Sequence, residues 1–134
     1  MTVRLIKLAV VYLVIGMTLG IGMGIAQDHT LRGVHVHINL LGWATLALAA
    51  LVFHIFPHLA RTRLAAIWFW LYNLALPVAM VSLGFVFYGD LRAEPGVKLG
   101  FTLVWIGGIL FAANVLVNLR AQSGAPAAAM QTAR

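Results

Sequence analysis

Five histidines stand in a chain of 134 residues that is 63% hydrophobic and only 9% charged. Polar groups in so apolar a setting are costly, and those that persist tend to serve a function. His35 and His37 open the run Val34-His35-Val36-His37-Ile38-Asn39-Leu40-Leu41-Gly42-Trp43. On a helix turning about 100° per residue they point about 200° apart, onto opposite faces. One helix therefore cannot give both imidazoles to one metal ion, but it can give one to each of two flanking sites. Imidazole is the usual axial ligand of haem iron. A six-coordinate haem needs a second ligand on the far side, and the chain offers few. His54 lies 17 residues beyond His37, which is about 25 Å along a helix. The other long apolar stretches hold no histidine, although Met17, Met23 and Met80 are thioether candidates. Among histidines, the second ligand must be His29 or must come from another copy of the chain. In a cyclic assembly, His35 of one subunit and His37 of the next would clamp one haem through a heterologous interface that closes. A trimer would then hold three equivalent haems. The alternative is that both histidines are interfacial residues, bonded to loop carbonyls or lipid headgroups.

The remaining candidates flank this pair. His54 and His58 are four apart and share a face if the helix continues past Pro57. They read as interfacial residues beside Arg61 and Arg63, or as a second metal site. His29, next to Asp28, is a loop residue suited to orienting an axial histidine or relaying a proton. Arg32 is placed to pair with haem propionates or with a headgroup. Asn39 and Trp43 follow on the same helix as supporting or packing residues.

Four stretches are long enough to span the roughly 20-residue hydrocarbon core of a bilayer. They are about residues 5–25, 34–56, 64–88 and 97–118, which predicts an all-α integral membrane four-helix bundle over 1–120. The Pro- and Ala-containing segment 121–134 has no apolar periodicity and reads as a flexible C-terminal tail. The basic start (Arg4, Lys7) and Gly24-Ile25-Ala26 raise the question of a signal peptide, but the apolar run is longer than a usual signal core. It reads as an uncleaved helix. Arg4 and Lys7 precede the first helix, and Arg61 and Arg63 fill the second loop without an acid. The first loop balances Arg32 against Asp28, and the third balances Arg92 and Lys98 against Asp90 and Glu94. Arg120 and Arg134 add charge at the C-terminal end. By the positive-inside rule, both termini are cytoplasmic in a bacterial inner membrane.

Nine Lys and Arg against three acids give a net charge of +6, but the cations are scattered between apolar runs. That is topogenic charge and excludes nucleic acid as a partner. No cysteine is present, which excludes disulfides, thiolate metal sites and thioether-linked haem. Gly16, Gly20 and Gly24 form a small-residue stripe, and Gly107, Gly108, Ala112 and Ala113 form another close-packing face. Pro77, four residues after Asn73, removes a helical hydrogen bond and is expected to kink its helix.

The run His35-Val36-His37 followed by Leu41-Gly42-Trp43 resembles subunit I of the haem–copper oxidase superfamily, most of all the C-type oxidases and nitric oxide reductases. The stretch Asp28-His29-Thr30-Leu31 through Trp43, with Phe56-Pro57, is also similar to small bacterial proteins related to that subunit. The family subunit arranges its helices in three arcs of four, and this chain corresponds to about one arc. The resemblance implies haem b, held by His35 and His37, in a homotrimer that rebuilds the ring. It does not imply oxidase activity. The further copper-ligand histidines and the active-site tyrosine of the family have no counterpart here, and two axial histidines leave no open iron position. The function expected is electron transfer, with a quinol or a periplasmic carrier as partner, or redox or gas sensing. Competing readings are a small transporter or channel subunit and a cofactor-free assembly partner of an oxidase. Against transport, the apolar stretches hold none of the acidic residues that coupled transporters commonly use.

Overall fold

The chain folds as four long helices, and the computed structural model describes residues 1–119. Arg120, Arg134 and the tail expected over 121–134 lie outside the described residues. Helix α1 spans Thr2–Ala26, α2 spans Arg32–Ile55, α3 spans Arg63–Phe87 and α4 spans Glu94–Asn118. Single turns at Leu59–Arg61 and Leu91–Ala93 precede α3 and α4. Each span is long and apolar enough to cross a membrane. The expected spans fall within a few residues of these bounds. Large side chains such as Val14, Leu74, Trp105 and Leu116 lie on the outside of the bundle. A face so continuously apolar needs hydrocarbon or protein against it.

Antiparallel packing puts Arg4, Lys7, Arg61 and Arg63 at one end, where Met1 and Arg4 share the lining of one recess with Ala60 and Ala66. At the opposite end are the two connections holding Asp28, Asp90 and Glu94, together with His35 and His37. These are called the arginine end and the histidine end below.

Helix α3 is the axis of the bundle: 44% of its apolar window is buried, against 11% for α1. The core is densest toward the arginine end. Phe53 of α2 meets Trp68 of α3 edge-on at 5.7 Å, and Trp68 meets Phe111 of α4 at 5.0 Å. Such aromatic pairs add about 0.5–1.5 kcal/mol beyond simple burial. Toward the histidine end, α3 and α4 approach so closely that a Cβ on Gly100 would lie 2.7 Å from the backbone of Ala79. Helix α3 runs uninterrupted through Pro77, while Asn73 turns its amide back to the Phe69 carbonyl at 2.7 Å.

A polar knot closes the arginine end. Asn114 is fully buried and donates to the Leu59 carbonyl at 3.0 Å. Its own oxygen accepts from Thr62 at 2.7 Å and from Asn118 at 3.0 Å. The Thr62 hydroxyl oxygen also caps α3 by accepting from the Ala65 amide at 3.0 Å. Buried polar groups satisfied in this way tie the second loop to the end of α4.

Candidate functional site

Helix α2 is not a uniform α-helix. After His37 it widens into a π-helical stretch, Ile38–Ala44, before returning to α geometry at Thr45. Such stretches are rare and often lie at functional sites. Widening shifts the backbone bonds by one residue, so that the Thr45 amide reaches the Leu40 carbonyl, and side chains add to the ladder. The Thr45 hydroxyl donates to the Leu40 carbonyl at 2.9 Å, and the Tyr72 hydroxyl donates from α3 to the Leu41 carbonyl at 3.2 Å.

His35 and His37 sit on the α-helical turn just before this stretch and diverge as the 100° spacing predicts. His35 faces α1. Its Nδ1 lies 2.8 Å from the Gly16 carbonyl, and a Cβ on Gly20 would meet its Cε1 at 2.7 Å. The glycine face of α1 is therefore a slot for this ring. Asn39 packs over Gly16 and donates to the His35 carbonyl at 2.9 Å. Gly24, the third glycine of the expected stripe, has nothing within 4 Å of a Cβ, so the slot ends at Gly20. His37 faces α4, with its ring edge-on to Phe101 at 5.1 Å. Its Nδ1 lies 2.7 Å from the Gly33 carbonyl, one turn back on its own helix.

A carbonyl only accepts, so Nδ1 must be the protonated nitrogen in both rings. Nε2, the ring nitrogen away from that bond, has no hydrogen-bond partner among the described residues in either ring. The 3.5 Å approach of the Asn39 amide to His35 Nδ1 is a contact between two donors, not a hydrogen bond. An Nδ1–H held by a backbone carbonyl is the usual arrangement behind a metal-ligating histidine. The donor set at each position thus fits an axial haem ligand.

The two histidines differ in what lies before them. His37 opens onto a lateral groove of about 590 Å³ between α2, α3 and α4, shared with the π-helical carbonyl region at Leu40 and Leu41, Tyr72, Phe101 and Trp105. That volume lies in the range of small-ligand and cofactor sites. The small-residue face of α4 divides: Gly107 is buried against Tyr72 and Trp68 of α3, a close approach as expected, whereas Gly108 and Ala112 form part of the groove wall. His35 is only partly buried and is gripped on one side by α1.

The other sequence candidates scatter. Arg32 is exposed at the start of α2, near the pair but without an ion-pair partner among the described residues. Trp43 is half-buried against the core, as a packing residue would be. His29 is exposed in the first connection. Beside it, the Asp28 carboxylate accepts from the amide and hydroxyl of Thr30 at 2.9 and 2.6 Å, which holds its carboxyl below the usual range. His54 and His58 are at the arginine end, and the helix stops at Ile55 before Pro57, so they do not share a helical face. His58 Nε2 lies 3.1 Å from the Asn118 carbonyl, as part of the loop closure. No cluster of three or more histidine or carboxylate side chains that could hold a metal ion occurs among the described residues. Met80 is buried, whereas Met17 is exposed. Sequence reasoning missed Thr45 and Tyr72, whose roles follow from a widened turn that an ideal helix lacks.

Comparison with protein-family models, with curated proteins and with solved structures finds no match for this chain.

Proposed function

We propose that the protein is a b-type haem-binding protein of the bacterial inner membrane that transfers electrons or senses redox state or a diatomic gas. In this reading His35 of one subunit and His37 of the next would together hold the haem in a homotrimer. The observation that carries it is the common arrangement of the two rings: divergent faces, Nδ1 occupied by a backbone carbonyl, and Nε2 without a hydrogen-bond partner among the described residues. The similarity of the His35–Trp43 run to oxidase subunit I points the same way. Bound haem would supply a one-electron couple at the iron. The chain's own part is to present Nε2 with its ring orientation fixed by Gly16 and Gly33, and to exclude water with the apolar groove around His37. Arg32, at the same end of α2, is the cation available to propionates.

The four helices cross the membrane with the arginine end and both termini in the cytoplasm, as the bias of Lys and Arg requires. His35 and His37, the residues that would hold a haem, then lie toward the periplasmic side, where a quinol or a periplasmic carrier would be the redox partner.

The test is the absorption spectrum of the protein purified in detergent from haem-replete cells. Sharp reduced bands of a b haem are expected. His35→Ala and His37→Ala should each weaken or abolish them while the helical circular dichroism is kept. A colourless wild-type protein overturns the haem reading, and full unchanged haem in both variants overturns the axial assignment.

A further inference from the structure

The four cations Arg4, Lys7, Arg61 and Arg63 gather at one end of the bundle, and all three acids of the chain, Asp28, Asp90 and Glu94, belong to the other. The one ion pair among the described residues, Lys98 with Glu94 at 3.0 Å, is also at the acid-bearing end. The arginine-end cations thus have no protein counter-ion among the described residues. They also border a built recess. Arg4 of α1 and Ala60, Ala66, Phe69 and Trp70 of the second loop and α3 line a cavity of about 370 Å³. Arg61 and Arg63 follow Ala60 in sequence, and Lys7 is one turn beyond Arg4. Neither α1 nor α3 has an acidic residue in its first turn. Phe69 is buried, and Trp70 stacks edge-on to it at 5.4 Å while remaining 59% exposed. An exposed tryptophan beside cations is the side-chain pairing of a membrane interface, where the ring sits among headgroups.

We propose that this recess is a binding site for the phosphate headgroup of an anionic phospholipid. Arg4 faces the phosphate, and Trp70 lies along the glycerol region. Lys7, Arg61 and Arg63, at the same end of the bundle, add a positive field that a zwitterionic headgroup does not satisfy. Basic pockets between transmembrane helices recognise anionic headgroups by this logic. The acyl chains continue down the same face of α1, where Val11 and Ile15, two and three turns beyond Arg4, are uncovered. The site is independent of the haem reading, because it shares no residue with His35, His37 or their supports.

The test titrates delipidated full-length protein in detergent with dioleoyl phosphatidylglycerol and with dioleoyl phosphatidylcholine, and counts bound lipid by native mass spectrometry. The chains are identical, so the difference reads the headgroup. Phosphatidylglycerol is expected to bind about tenfold more tightly, and Arg4→Gln to reduce that preference about fivefold. Arg92→Gln removes a cation at the other end and is expected to leave the preference intact. If Arg4→Gln does not fold, the double variant Arg61→Gln, Arg63→Gln carries the same expectation. Equal affinity for the two lipids in the wild type overturns the proposal, as does an equal loss in Arg92→Gln. Displacement of phosphatidylglycerol by millimolar inorganic phosphate also overturns it, and assigns the recess to the free anion.

Discussion

His35 can reach a backbone carbonyl of α1 only because Gly16 and Gly20 carry no side chains there. Gly20→Ala inserts a methyl where the imidazole edge lies at 2.7 Å, so the ring or the helix must shift. Overpacking of this kind costs about 1–3 kcal/mol. The variant is expected to melt earlier in detergent than wild type, and its His35 Nδ1 signal in ¹⁵N NMR should lose the signature of a bonded N–H. Gly24→Ala meets open space and is expected to leave both unchanged. The two glycines could be found in the sequence because their four-residue spacing is a helix-face signal. That Gly24 would be idle could not, since it depends on where α1 parts from its neighbour. The divergence of His35 and His37 was legible for a simple reason: both lie on one regular turn, where 100° per residue holds.

At the scale of elements, the helices were legible because apolar runs of about 20 residues bounded by charge have few other structures open to them. The polar knot at the arginine end was not. Asn114 sits in an ordinary-looking apolar stretch, and its partners Leu59 and Thr62 are more than 50 residues away in sequence. Asn114→Leu keeps the branched heavy-atom outline but removes the amide bonded by the Leu59 carbonyl and the Thr62 hydroxyl. That leaves the carbonyl and the Thr62 O–H only each other, at 3.2 Å, and the Asn118 amide without its acceptor. Leaving such groups unpaired costs about 1–3 kcal/mol. Thermal unfolding should show that loss, with hydrogen exchange rising first in the loop around Leu59 rather than at the histidine end. The condition attached to His54 and His58 also failed at this scale. Their spacing of four counts only within a helix, and Pro57 is where that helix has already stopped.

At the scale of the molecule, α1 covers one side of α2, while the His37 groove remains open to the side. The proposed clamp needs a neighbour at that groove, which any closed ring supplies, and the trimeric reading expects an intact complex of three times the mass of one chain. Native mass spectrometry or light scattering with detergent correction checks this. A monomer that keeps two histidines on its haem would reject the shared clamp while leaving haem binding itself in place. Within such a ring, parallel copies bring their arginine ends together, and the repulsion falls with salt on the scale of the roughly 8–10 Å Debye length. Ring stability should therefore rise with ionic strength once lipid is removed.

The π-helical stretch of α2 has a consequence for which residues the chain can lose. A wide turn holds one residue more than an α turn while leaving the flanking turns facing much as before. Deleting Leu40, which is exposed, lets Ile38–Ala44 close into an ordinary helix with His35 and His37 still aimed at α1 and α4. Deleting Leu48, equally exposed but within the regular Thr45–Ile55 segment, swings the two ends of α2 about 100° apart. The first deletion should give a folded protein that keeps its histidine geometry, and the second should not. The wide turn is where α2 carries its spare residue, so shortening at this one place leaves the aim of both imidazoles intact.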